Sequence, residues 1–325
     1  NARRAMTARS ASARPAELTG PAAARAETAM FAFMLTPDVA REAILLAGSL
    51  REWGGALKDS PVLCMVPGSA DAVPEPSRAR LEALGCELAA FAPDPRIDGF
   101  PLASKAGAAA GAERLAAGRA DVLVWMDPDT VIVREPSELL LPPGALVAAA
   151  PVHHRLIGLP LGTVPDAFWA AVYAACGADA AEDFPVLTVI DREPIRPYFN
   201  AGLVVVRPEA GVLGAWRDNL AAACADPAVL AALRSATGKH RLFLHQATLA
   251  ATIVSRAGPC GFYELSLGYN YPAHMHAACP PALAPKKLDD LYTVRYDQWS
   301  LVPGSDGCGI PAPPRMAAAL SSLRE

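Results

Sequence analysis

Short apolar runs alternate with helix-length segments through the first 126 residues, and that rhythm leaves few folds open. Residues 31–35, 61–66, 86–91 and 121–126 read as strands. Between them, residues 39–53, 76–84 and 102–117 carry helical spacing or composition and stop at Gly54, Gly85 and Gly118. Strands separated by helices pair in parallel through βαβ units. These strands are continuously apolar rather than alternating, as strands buried on both faces are. The chain is therefore expected to be an α/β protein with a mostly parallel central sheet flanked by helices. Ligands of such sheets bind beyond the carboxyl ends of the strands.

The second half is less regular. Residues 131–133, 145–150, 186–190, 198–206 and 291–296 read as strands, and 165–176, 211–225, 227–235 and 245–256 as helices. No repeat or long linker divides the chain, so residues 30–300 are expected to form one domain. Residues 1–29, rich in Ala, Arg and Ser, read as a disordered tail, and 301–325 as a loop with a short helix.

A net charge of -4 gives no general attraction to polyanions, which argues against nucleic acid as the main partner. No apolar run reaches the roughly 18 residues that a membrane-spanning helix needs. The seven cysteines form no Cys-x-x-Cys pair. Cys64, Cys86, Cys176 and Cys224 fall inside expected elements, and Cys260, Cys279 and Cys308 in loop-like sequence. That scatter suits a reducing compartment, so a cytoplasmic location is expected, with peripheral membrane contact left open.

The sharpest motif is Trp125-Met126-Asp127-Pro128-Asp129-Thr130, directly after an apolar strand. Two carboxylates flanking one residue can both reach one hard cation, and Mg²⁺ or Mn²⁺ commonly shares such ligands with substrate phosphates. A plain turn is the competing reading, since Asp-Pro-Asp favours one. A second motif, Asn200-Ala201-Gly202, opens the apolar strand that ends at Val206. Its small residues let a ligand approach the backbone, and the Asn amide offers a donor and an acceptor to a sugar hydroxyl.

With these motifs in this order, the chain resembles glycosyltransferases of the GT-A fold, especially the retaining family 8 that includes glycogenin and bacterial lipopolysaccharide galactosyltransferases. The strand at 31–35 is similar to the family's opening nucleotide-binding strand, Ser104-Lys105 to its lysine-bearing helix, and residues 124–130 to its metal-binding segment. Residues 198–206 resemble its donor-sugar segment, and Leu267-Gly268-Tyr269-Asn270-Tyr271, more loosely, a later Tyr-Asn step. The resemblance implies metal-dependent sugar transfer from a nucleotide sugar, UDP by family habit, to a glycan, lipid or small-molecule acceptor. Residues 30–135 would bind the nucleotide and 136–300 the acceptor. Phe33, Lys105, Asp127, Asp129, Ala201 and Gly202 would surround the donor. Asn200, Gln246 and Asp191 would serve the transfer.

Two departures stand out. His245-Gln246 occupies the place of the family's Asp-Gln pair. The family's C-terminal His ligand is missing from Val294-Arg295-Tyr296-Asp297, leaving His274 and His276 as the nearest candidates to join Asp127 and Asp129 on the metal. The two histidines would share one face of an extended segment. Arg295 is an alternative source of positive charge for a diphosphate. His153 and His154 are expected on the cleft edge, and Asp191, Arg192 and Glu193 near an acceptor. Family 8 implies retention of configuration; inversion would need a carboxylate base such as Asp191, Glu193 or Asp297. The alternatives are a catalytically inactive nucleotide-sugar-binding scaffold and an aspartate-nucleophile phosphatase built on Asp127-Pro128-Asp129.

Overall fold

A computed structural model describes residues 27–297 and 309–324. Most of the tail expected at 1–29 lies outside the described residues, as do Cys308 and the loop expected at 301–308.

The described strands are β1 (Ala29–Met34), β2 (Val62–Pro67), β3 (Cys86–Phe91), β4 (Val122–Met126), β5 (Thr130–Ile132) and β6 (Val147–Pro151). There follow β7 (Val186–Leu187), β8 (Pro194–Ile195), β9 (Phe199–Val206), β10 (Phe262–Glu264), β11 (Tyr271–Pro272) and β12 (Thr293–Arg295). Seven of them form one sheet in the order β10-β6-β9-β4-β1-β2-β3. β3, β2, β1 and β4 pair in parallel, and β10 is parallel to β6. β9 alone in this sheet runs against its neighbours, β4 and β6. Strands from both halves of the chain thus share the sheet, which is mostly parallel and flanked by helices as expected.

Period-two alternation sends side chains to opposite faces. Met30, Ala32, Leu123 and Trp125 enter one apolar layer with the helices Ser104–Ala116, Val212–Ala225 and Leu244–Arg256. Phe31, Phe33, Val122, Val124 and Met126 enter the other, under the helix Ala40–Trp53. Each large side chain that these layers remove from water contributes roughly 2 kcal/mol. Local signals place the helix ends. Asp166 accepts from the Trp169 N–H at 2.9 Å to start Ala167–Cys176, and Gly177 ends it at φ 61°.

Two features of this topology position the cleft. Because β9 is antiparallel, its opening residues lie beside the carboxyl end of β4: Met126 faces Leu203, and the Asp127 N–H donates to the Gly202 carbonyl at 2.8 Å. In a second sheet of order β11-β12-β5, β12 pairs antiparallel with β5, setting Arg295 opposite Thr130. The Tyr296 N–H donates to the Asp129 carbonyl at 3.0 Å, which extends that pairing to the acidic loop.

Several expectations are corrected. The strand read at 186–190 shrinks to Val186–Leu187, and that at 291–296 to Thr293–Arg295. Residues Ala273–Ala278 form a 3-10 helix rather than an extended segment. The C-terminal helix Pro314–Arg324 is part of the fold, adding Met316 and Leu320 to a cluster with Leu45 and Val294. Cys279 lies outside the helices and strands and is buried, and the six described cysteines are all free. No described helix is long and apolar enough to cross a membrane.

Candidate functional site

Asp127 leaves β4 into the space above the sheet and is 6% exposed. A carboxylate this deep needs partners. Lys105, in the first turn of Ser104–Ala116, brings Nζ to 2.7 Å from Oδ1 and 2.9 Å from Oδ2. The lysine is itself buried, not the solvated residue that a helix start usually carries. Arg295 reaches in from β12 and touches three residues. Its Nε donates to Asp129 Oδ2 at 3.1 Å, its Nη2 lies 3.5 Å from Asp127 Oδ2, and its Nη1 donates to Asn200 Oδ1 at 3.3 Å. Burial opposes ionisation of Asp127, but the Lys105 and Arg295 charges outweigh it and hold the carboxyl below its ordinary range.

β9 supplies the facing wall. Asn200 Oδ1 also accepts from the Gly202 N–H at 2.7 Å, which locks the amide with its carbonyl toward Arg295. Gly202 is required by space: a Cβ there would stand 2.8 Å from Asn200 Oδ1, 3.0 Å from Asp127 Oδ2 and 3.2 Å from Arg295 Nη1. Ala201 points the other way into the core, and Phe33 is likewise a core residue under Ala40–Trp53, 1% exposed. Neither side chain faces the cleft, since alternation along a strand gives it to their neighbours.

Several buried polar atoms have no partner, and three of them belong to histidines that feel the charge of Arg295: His245, His153 and His274. His245 and Gln246 start the helix Leu244–Arg256, whose entry is fixed by the Trp216 indole N–H donating to the His245 carbonyl at 2.8 Å. His245 Nε2 and Gln246 Oε1 are buried and have no hydrogen-bond partner among the described residues. The same holds for His153 Nε2, His274 Nδ1 and both amide atoms of Asn270. Burial lowers His245 to about 3, with the nearby Lys105 charge acting in the same sense. Burial lowers His153 to about 3 as well, helped by Arg295 and His274. Both rings are therefore neutral at pH 7. Asn270 carries no role in the sequence reading beyond a loose resemblance. It sits at φ 51°, a conformation that Asn tolerates, and an Asn between tyrosines after a glycine is the signal that could have singled it out.

Other expected residues fall elsewhere. Because a 3-10 helix advances three residues per turn, His274 and His276 do not share a face. His274 packs edge-on to His153, with ring centroids 6.0 Å apart, whereas the His276 ring nitrogen bonds the Tyr271 hydroxyl at 2.9 Å. Asp191 is bound by His154 at 2.8 Å in a partly exposed pair, and Glu193 by Arg155.

As they stand, the two carboxylates are engaged by cations of the chain and are not open to a divalent ion. Among the described residues, no three His, Cys, Asp or Glu side chains are grouped so as to hold a metal. Asp127 and Asp129 are already neutralised by Lys105 and Arg295. An ion entering between them would meet two fixed cations, at about 4 kcal/mol per unit of charge for a 4 Å separation in a partly polar interior. The arrangement suits a polyanionic, hydroxyl-rich ligand, with guanidinium and ammonium on one side and neutral amide and imidazole groups around them.

A family model described as the Rhodobacterales glycosyltransferase domain matches residues 30–257. A comparison with curated proteins finds no match. Among solved structures, the chain is similar to the galactosyltransferase LgtC in complex with donor and acceptor sugar analogues. The two share 13% identity over 91% of this chain and 95% of that one, with a TM-score of 0.46. It is also similar to the WbbM bifunctional glycosyltransferase, at 16% identity over 85% of this chain and 47% of that one (TM-score 0.48). GlyE of Streptococcus pneumoniae TIGR4 follows at 13% identity, over 92% of this chain and 60% of that one (TM-score 0.49). The chain thus spans about half of the WbbM chain and less than two thirds of GlyE.

Proposed function

Since this chain belongs to the Rhodobacterales glycosyltransferase domain family, we propose that it transfers a sugar from a nucleoside diphosphate donor to an acceptor hydroxyl in the cleft above β4 and β9. UDP is the donor nucleotide that the family 8 resemblance implies. The single observation that carries the reading is the convergence of Asp127, Asp129, Lys105, Asn200 and Arg295, from four segments of the sequence, into one cluster, with the unpartnered ring nitrogen of His245 near it. Buried polar groups are almost always bonded, so the open His245 and Gln246 atoms are positions where a ligand's hydroxyls would bond.

In this reading residues 30–135 carry the nucleotide and residues 136–300 carry the acceptor. Lys105 and Arg295 face the diphosphate. Gln246 and His245 bond sugar hydroxyls through their free atoms, and Asn200 orients the sugar beside them through its amide nitrogen. As the bond from the anomeric carbon to the terminal phosphate oxygen breaks, both electrons leave with that oxygen. The acceptor oxygen forms the new bond to the same carbon, and its proton passes to the released diphosphate. Fixed positive charge where negative charge develops is the largest contribution such a site can make. Asp191, tied to His154, belongs to the acceptor wall in this scheme.

Calorimetric titration of UDP-, GDP- and ADP-sugars against the wild type and Asn200→Ala tests it. The expected result is saturable binding of one donor class, weakened at least about tenfold in the variant, the scale of a lost hydrogen bond to a charged or buried partner. Binding of none of the three, or an unchanged affinity in Asn200→Ala, would remove the proposal.

A further inference from the structure

Arg295 stands in the segment from which the resembled family's histidine is missing, and it does something that a histidine cannot. β12 places it opposite Thr130, one residue beyond Asp129, and the Tyr296–Asp129 backbone bond keeps it there. The guanidinium then lies against both carboxylates of the acidic motif and the Asn200 amide, with each of its three nitrogens engaged once. A guanidinium has five N–H groups, so one on each Nη remains. Its charge is permanent, and its planar fork matches two phosphate oxygens. Gly202 leaves open the space beside Nη1 that any side chain would fill.

We propose that Arg295, clamped by Asp127 and Asp129, is the resident cation of this site, so that donor binding and departure of the diphosphate proceed without a divalent metal ion. The inference rests on the glycosyltransferase reading and deepens it. The acidic motif keeps its place but changes its task, from holding an ion to holding an arginine. Lys105 adds a second fixed charge on the other side of Asp127. Both cations belong to the chain, so no metal need be recruited with each donor. When the bond to the anomeric carbon breaks, the remaining Arg295 N–H groups donate to the oxygen that takes the electron pair.

The test uses the full chain with UDP, GDP and ADP as probes, titrated in EDTA and in excess Mn²⁺, with free Mn²⁺ followed by electron paramagnetic resonance. The expected result is that the diphosphate that binds does so equally in both buffers, within about threefold, and that the wild type leaves the Mn²⁺ signal undiminished. Arg295→Gln should weaken binding in EDTA by about tenfold or more, the scale of a lost charge-assisted bond, while Arg295→Lys should retain part of it. Arg295→His, which sets an imidazole beside two carboxylates, should acquire Mn²⁺ binding and a dependence on it. A wild type that sequesters Mn²⁺, or that binds the diphosphate at least about tenfold more tightly with Mn²⁺, overturns the inference while leaving the glycosyltransferase reading intact. So does an Arg295→Gln variant with unchanged binding in EDTA. Failure of all three nucleotides in both buffers overturns the reading and the inference together.

Discussion

Two buried carboxylates, Asp127 and Glu113, are supported in opposite ways. Glu113 is 4% exposed on the inner face of Ser104–Ala116 and accepts from the Leu213 and Gly214 N–H groups at 3.0 and 2.7 Å. It caps the first turn of Val212–Ala225, a helix with no side-chain cap of its own, and so joins the two helices. Every one of its partners is backbone. Asp127, by contrast, is held by the ionised side chains of Lys105 and Arg295, and near it the His245 ring nitrogen stands unbonded. The first arrangement is complete as it stands and serves the fold. The second balances its charges but leaves hydrogen bonds unmade, which is the signature of a place built for something else.

The contrast is sharpest in variants. Arg295→Gln removes the permanent charge from the cleft, and transfer should fall roughly 10²–10³-fold, the usual consequence of deleting one preorganised electrostatic contact. Its urea midpoint should fall as well, because two carboxylates lose a partner, so transfer is read per folded molecule. Glu113→Ala should affect stability alone. It strands two helix N–H groups and should cost about 2–3 kcal/mol of stability in urea titration, with nucleotide affinity per folded molecule unchanged. If the two variants behaved alike, the distinction between a binding site and a structural seam would collapse. Gly202→Ala is the finer probe. Its methyl would crowd Asn200, Asp127 and Arg295 at 2.8–3.2 Å, so donor affinity per folded molecule should drop by about tenfold, alongside an overpacking cost of about 1–3 kcal/mol in urea titration.

The smallest effect is electrostatic. His153 and His245 titrate at about 3 in the folded protein, against about 6.5 in an unfolded chain. Between those values the unfolded state binds more protons, so stability is full above pH 6.5 and falls as pH drops towards 3. By pH 6 the loss should be about 1 kcal/mol per histidine. Urea midpoints at pH 7.5 and 6 measure it, and His153→Gln should remove one histidine's share of the slope.

Much of this was readable beforehand, for physical reasons. β4 runs apolar straight into Asp127, and the Asn200-Ala201-Gly202 step opens an eight-residue buried strand, so both motifs were placed on the correct ends. The direction of β9 was not readable. A strand buried on both faces has the same composition whichever way it runs, yet direction is what sets Gly202 against Asp127. Nor could spacing reveal that β12 pairs with β5, the long-range contact that brings Arg295 to the acidic pair across 166 residues. His274 and His276 share a face only if their segment is extended, which spacing alone does not decide, and the 3-10 turn after Pro272 separates them. Glu113 left no mark at all. A lone Glu in an alanine-rich helix reads as solvated until the partner helix is known.

Where a donor's phosphates rest decides between a binding site and a structural seam, and a crystal structure of the full chain with the nucleoside diphosphate that it binds settles that directly. The predicted result is phosphate oxygens within hydrogen-bond distance of Arg295 and Lys105, with the terminal phosphate directed towards Asn200 and Gln246. A nucleotide bound elsewhere, with Arg295 still wholly engaged by the two aspartates and the His245 and Gln246 atoms unbonded, would contradict it.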